Sequence, residues 1–212
     1  MEINRTKRNK MLAEKVISGL ESRNMKGYYA ESKEEALNLA LDMIPEGAKI
    51  GWGGSVSMQE IGLKDAICKG NYTVYNRDIC KSPEEKKATE LAVMDADWFI
   101  CSSNAISEDG VLVNIDGMCN RVAAIAWGPK NVLMIVGMNK IMRDVEMAVS
   151  RARNEAAPIN AQRFNLDTPC CKTGACFDCK SPQTICCQFL ITRFSRIPGR
   201  IKVILVNDEL GF

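Results

Sequence analysis

The chain of 212 residues contains no histidine. That absence removes Ser-His-Asp triads, histidine-based metalloprotease sites and imidazole general bases, leaving carboxylates, lysine, tyrosine and cysteine for acid–base chemistry. The chain also lacks an uncharged apolar run approaching the roughly 18 residues that a membrane-spanning helix needs. Its start, MEINRTKRNKMLAEKVISGL, is charged from Glu2 onward, with neither an apolar core nor a small-residue cleavage site, which predicts a cytoplasmic protein. An excess of either charge is missing too. The 28 basic and 26 acidic residues give a formal net charge of +2, so neither nucleic acid nor a membrane surface is an expected partner. Arg5, Lys7, Arg8 and Lys10 read as a solvated helix face. No repeat or low-complexity linker interrupts the chain, and its length suits one domain, residues 1–212, with a sizeable core.

Cysteine is what the chain has in excess. Of ten cysteines, six fall between Cys170 and Cys187, in PCCKTGACFDCKSPQTICC. Pro169, Gly174, Lys180 and Pro182 make this stretch polar and rich in turns, so something bound to sulfur is expected to hold its shape. Disulfides need an oxidising compartment, at odds with a cytoplasmic reading. Zinc, without histidine, would need four thiolates. Cys176 and Cys179 form one C-x2-C knuckle, but no second short knuckle follows at zinc-ribbon spacing. Taking Cys170 and Cys186 as outer ligands gives an irregular ring better matched to an iron–sulfur cluster, which is larger than one ion. Zinc stays the alternative, and the doublets Cys170/Cys171 and Cys186/Cys187 leave each end ligand open by one residue. Cys68, Cys80, Cys101 and Cys119 sit in core-like contexts and are expected to be buried free thiols.

Apolar spacing at Met11, Leu12, Val16, Ile17 and Leu20 predicts a helix over residues 4–23. Gly27 to Ala30 is a short strand. Ser32 with Glu35, and Ser82 with Glu85, are capping-box pairs that open helices. The first buries Ala36, Leu37, Leu39, Ala40 and Leu41; the second runs to about Met94. AKIGW (48–52) is a strand entering a helix that ends near Lys69, and YTVYN is strand-like. WFICSS (98–103) is nearly all apolar, as in strands buried on both faces of a parallel sheet. After a turn at Glu108-Asp109-Gly110, the runs 111–116, 121–127 and 131–137 read as consecutive strands. A helix from about Met142 to Ala156 ends before Pro158, and RIKVILVND is the last strand. This order predicts an α/β fold, a twisted mixed sheet flanked by helices, with the cysteine-rich segment 168–188 inserted before the last strand.

Three turns carry the candidate chemistry. Gly53, Gly54 and Ser55, between a strand and a helix, let the backbone approach a phosphate or carboxylate, or simply form a tight turn into a capped helix. The pattern lacks a P-loop lysine and dinucleotide-binding spacing, and no flavin or nicotinamide motif is visible. Ser102, Ser103 and Asn104 end the buried strand, where ligands of open α/β sheets bind. Asn114, Asp116, Asn120 and Arg121 surround Gly117. Arg121 suits a bidentate clamp on a carboxylate or phosphate, although Asn-x-Asp-Gly is also a good hairpin turn. Asn139 and Lys140 end the next apolar run on the same rim. Glu60, one turn into the helix after Ser55, is an acid–base candidate or an i, i+4 partner for Lys64.

Taken together, G-W-G-G-S-x-S-x-x-E-I-G, S-S-N-A-I-S-x-D-G, N-x-D-G-x-x-N-R-V-A-A, G-P-x-x-V-x-x-I-V-G-x-N-K and A-A-P-x-N-A resemble the lactate utilization (LUD) domain family over nearly the whole chain. The run P-C-x-x-T-G-x-C-x-D-C-x-S-P-x-x-I-C and the closing V-I-L-V-N-D-E-L-G-F resemble a subgroup with an added cysteine loop. That resemblance implies ligands at Cys170, Cys176, Cys179 and Cys186, with a 4Fe-4S cluster as cofactor. It also implies a fold similar to the phosphosugar isomerase and coenzyme A transferase superfamily. Relatives act in multi-protein systems that oxidise L-lactate to pyruvate, which implies a redox partner protein.

Two principal functions follow, with a pure scaffold subunit as a third. The first is electron transfer linked to oxidation of L-lactate or a related 2-hydroxy acid, with a small carboxylate or other anionic ligand held at the three turns. The second is a non-redox small-anion enzyme with the cysteine loop as a metal staple and Glu60 or Glu108 as its carboxylate. A homodimer is compatible with either.

Overall fold

The computed structural model describes residues 3–212. Helix α1 (Ile3–Ser22) buries Asn9, Ala13, Val16 and Leu20, spaced to share one face, whereas Met11 stays outside. Its Gly19 lies against the turn at Asp109, where a Cβ would come within 2.4 Å of the backbone. Strand β1 (Lys26–Ala30) follows. Helix α2 (Lys33–Met43) is capped by Ser32, whose hydroxyl accepts the Glu35 N–H at 3.1 Å. The returning bond departs from the expected box: Glu35 accepts the N–H of Glu31, one residue earlier than Ser32.

Strand β2 (Lys49–Trp52) leads to helices α3 (Val56–Glu60) and α4 (Leu63–Lys69). One continuous helix was expected here. Gly62, at φ 76°, breaks it by accepting a left-handed conformation that side chains disfavour. Strand β3 (Thr73–Tyr75), helix α5 (Pro83–Val93) and strand β4 (Trp98–Cys101) come next. A hairpin of β5 (Ala105–Ser107) and β6 (Leu112–Asp116) precedes helix α6 (Asn120–Ala126).

The run 121–127, expected as a strand, is therefore helical. Three alanines favour helix, and both ends are tied by charged side chains. Asp116 accepts the Val122 N–H at 2.9 Å, while Arg200 donates to the Ala124 and Ile125 carbonyls at 2.9 and 2.6 Å, cation at the C-terminal end. Strands β7 (Asn131–Gly137) and β8 (Ile141–Met142) lead into α7 (Val145–Arg151). This helix does not stop before Pro158. A π turn (Ala152–Ala156) widens the path, so the chain runs through the proline into α8 (Ala157–Arg163). Helix α9 (Pro169–Thr173) opens the cysteine segment, followed by β9 (Gln188–Thr192) and β10 (Ile201–Val206).

The expected mixed sheet divides in two. Six parallel strands form the main sheet in the order β1-β10-β7-β4-β2-β3. Alternation along its central strands feeds two cores: Val132, Met134, Val136, Val203 and Leu205 face α1 and α6, and Leu133, Ile135, Ile204 and Val206 face α2 and α4. The antiparallel pairs lie in a smaller sheet, β8-β5-β6-β9, packed on α7. The ends of β2, β4 and β7 all open on one side, which brings residues 53–55, 102–104 and 138–140 to a common edge.

Candidate functional site

At that edge lies a cavity of about 1010 Å³. Gly54, Ser55, Ser102, Ser103, Asn104, Asp116, Asn120, Arg121 and Lys140 line it, all residues read from the sequence. Ser55 caps α3 by accepting the Met58 N–H at 3.2 Å. Gly53 sits behind the wall, where a Cβ would meet the Arg121 stem at 3.1 Å. Ser103 turns inward onto the Ala105 and Val113 carbonyls, at 2.8 and 3.1 Å.

Arg121 is not free to clamp a ligand, contrary to expectation. All five of its N–H donors are engaged: Nε on Asp116 (2.8 Å), Nη1 on Ser102 O and Asn114 (3.0 and 2.7 Å), and Nη2 on Asn104 and Ile115 O (2.9 and 2.7 Å). It welds the β4–β5 turn to β6 and shapes the cavity. Three further expectations are corrected. Asn139 faces away, its side-chain oxygen accepting Leu210 N–H at 3.2 Å, in a separate hollow with Arg5 and Arg8. Glu60 neither lines the cavity nor pairs with Lys64; it accepts the Gly211 N–H at 2.8 Å, and Lys64 pairs with Asp78. Glu108 pairs with Lys15, remote from the cavity.

Lys140 is the charged group at the floor. Its side chain is buried, 2% exposed, and among the described residues its ammonium nitrogen hydrogen-bonds only to the hydroxyls of Ser57 (3.2 Å) and Ser102 (3.1 Å). Burial, then the nearby Arg151 and Arg121 charges, lower its pKa from 10.5 to about 7, against a weaker pull from Glu60 and Glu155. Below pH about 7 this amine is protonated both folded and unfolded, and the burial penalty is full. Between about 7 and 10.5 the folded form alone loses the proton, so stability rises with pH. Lys140→Met is therefore expected to be more stable than the parent below pH about 7, by on the order of 4 kcal/mol, with the gap closing as pH approaches the ordinary lysine range. Urea unfolding at several pH values measures this, and a gap independent of pH contradicts it. A group held at such a cost to stability points to a role in function.

The rim carries a second feature without a sequence signal. Arg77 and Arg163 both approach the bare backbone of Gly54, their Nη2 atoms 3.4 and 3.7 Å from where a Cβ would stand. Burial lowers the Arg163 pKa and the Arg77 charge lowers it further, with Asp78 opposing. Arg77 is partly neutralised by Glu90 at 3.2 Å, which also accepts from Asn120. Arg163 donates to Asn160 and stacks on Phe164 and Phe212, but among the described residues it has no ion-pair partner, nor do Lys86 and Lys87 beside it in the lining. An anion entering beside Gly54 relieves this unbalanced positive charge.

The cysteine segment builds a second, smaller cavity of about 60 Å³. Cys170, Cys176, Cys179 and Cys186 line it, together with Ala157, Pro158 and Ala161 of α8; Cys171 and Cys187 do not. The Asp178 N–H and Arg153 Nη2 both point at Cys176 Sγ, at 3.5 and 3.8 Å. Burial pushes the Cys186 thiol up to about 11, and the charges of Cys176, Cys170 and Cys179 add to it, so four thiolates there call for a cation. This donor set fits a metal centre. Among the described residues, no group of three or more His, Cys, Asp or Glu is placed to hold a metal ion as it stands. All ten cysteines are free thiols. Of the four expected in the core, only Cys101 is buried, its thiol pushed up to about 12, while Cys68 is exposed. Ile185 lines both cavities, so they share a wall there, and it packs so closely on Gly117 that a Cβ at that position would come within 3.1 Å of the Ile185 Cα.

Among the described residues no helix is long and apolar enough to cross a membrane. The fold is similar to that of a DUF162 family protein from Deinococcus radiodurans, with TM-score 0.54 and 13% identity over 93% of this chain and 98% of that one. eIF2B beta from Chaetomium thermophilum aligns at TM-score 0.40 and 17% identity over 55% of this chain and 44% of its own, too little to argue from. No curated protein matches the chain. The LUD domain family model matches residues 13–206, and the chain belongs to that family.

Proposed function

We propose that the protein takes part in electron transfer linked to oxidation of L-lactate or a related 2-hydroxy acid, as a member of the cysteine-loop subgroup. The observation that carries this reading is the shared wall: a cavity lined by more basic than acidic side chains abuts a cavity lined by four thiols. Cys170, Cys176, Cys179 and Cys186 would hold a 4Fe-4S cluster. Zinc is the lesser fit, because Cys176 and Cys179 form one C-x2-C knuckle and no second short knuckle follows at zinc-ribbon spacing. When bound, such a cluster supplies transfer of single electrons. Oxidation of an alcohol removes two, which calls for a redox partner protein or a further cofactor. Arg163 and Arg77 hold the carboxylate at the rim, and the Ser57–Ser102–Lys140 group faces the rest of a small ligand. Reduced thiols suit the cytoplasm.

A second reading, a non-redox small-anion enzyme with a stapled loop, is favoured by the counterion-free Lys140. Anaerobic purification, metal analysis and calorimetric titration with L-lactate and pyruvate decide between them. The first reading expects iron, visible absorbance that bleaches on reduction, and anion binding weakened at least tenfold, or about 1.4 kcal/mol, by Arg163→Ala. Colourless zinc protein that still binds the anion supports the second. Protein with neither metal nor anion affinity sinks both.

A further inference from the structure

Lys140 heads the fully buried side chains by volume, yet among the described residues its nitrogen meets no carboxylate. The charged groups around it are held elsewhere. Arg151 on α7 donates to the Asn139 and Asn104 carbonyls at 3.1 and 2.6 Å and to Glu155 at 2.8 Å. Arg121 on α6 is saturated, and Glu60 on α3 is occupied by Gly211 N–H. Two fixed cations and little water favour the neutral amine, and a desolvated amine beside other cations is the environment that turns lysine into a nucleophile. The amine also lines the cavity whose rim holds Arg77 and Arg163.

We infer that Lys140 forms an imine with the carbonyl carbon of a small 2-oxo acid whose carboxylate lies at the Arg77–Arg163 rim. The Nζ lone pair adds to the carbonyl carbon, and a proton passes from nitrogen to the carbonyl oxygen to give a carbinolamine. The hydroxyl then leaves as water, its second proton coming from the remaining N–H, and the C=N bond forms. No electron donor or acceptor is consumed. The Ser57 and Ser102 hydroxyls, both in contact with Nζ, are the groups positioned to relay those protons. This inference rests on the anion cavity of the proposed function but not on the metal centre.

The test is trapping. Protein incubated with pyruvate is treated with sodium borohydride, digested and mapped by mass spectrometry. A single reduced adduct on the peptide carrying Lys140 is expected, at least tenfold less abundant with competing L-lactate. Lys140→Arg should leave that peptide unlabelled, with circular dichroism confirming that the variant folds. No adduct, or label spread over Lys86, Lys87 and other surface lysines, overturns the inference. Pyruvate that binds by calorimetry yet is never trapped at Lys140 overturns the imine and leaves the anion site standing. Trapping by protein that contains no iron upholds the imine while the redox reading fails.

Discussion

Under the proposed cluster assignment, protein carrying both Cys176→Ser and Cys179→Ser is expected to bind no iron, whereas Cys171→Ser and Cys187→Ser should each bind it as the parent does. The contrast follows from which sulfurs line the small cavity. A serine hydroxyl does not ionise near neutral pH and is a hard oxygen donor where a soft sulfur is needed. Binding to a structural thiolate site is worth on the order of 10 kcal/mol, so the loss is expected to be visible as loosening of residues 168–188. Iron and acid-labile sulfide per chain, with limited proteolysis of that segment, provide the measurement. The main sheet should survive, because its cores draw on residues outside the segment. Iron retained by the double variant would remove the cysteine assignment.

Arg121→Met is expected to destabilise the fold by about 3–5 kcal/mol, because it leaves the buried Asp116 without its cation and strips Ser102 O, Asn104, Asn114 and Ile115 O of a donor. Arg121→Lys should recover only part of this. A single ammonium cannot span five acceptors arranged around a planar fork. Urea midpoints report the loss directly. Equal stability with weaker lactate binding would instead make Arg121 a ligand clamp.

The parts of the fold dictated by local chemistry were legible in the sequence. Ser32 and Ser82 cap the helices they were expected to open, and the apolar strands at Trp98, Asn131 and Ile201 fall where their composition predicts. The run 121–127 misled because a short apolar stretch carries no period of its own. Its helical state is decided by Asp116 and by Arg200, a residue far along the chain. The π turn hid the helix beyond Pro158 for a related reason, since proline normally signals an end. Strand β9 is short and half exposed, leaving no alternating pattern to read. At the site, cysteine spacing gave the thiol cavity, whereas the meeting of Arg77 with Arg163 is purely tertiary. Arg121 looked like a clamp because its acceptors come from the β4–β5 turn and from strand β6, which only the folded chain brings around it.

The π turn at Ala152–Ala156 sets a phase as well as a path. Upstream of it, Arg151 anchors to the turn at Asn104 and to Asn139; downstream, Pro158 and Ala161 face the thiol cavity while Asn160 and Arg163 line the larger one. Deleting one residue from the turn would restore regular winding and rotate the second half by about 100° relative to the first. Both faces of α8 would then swing off their targets together. Substitutions along this helix can be absorbed one at a time, but a change in its length cannot.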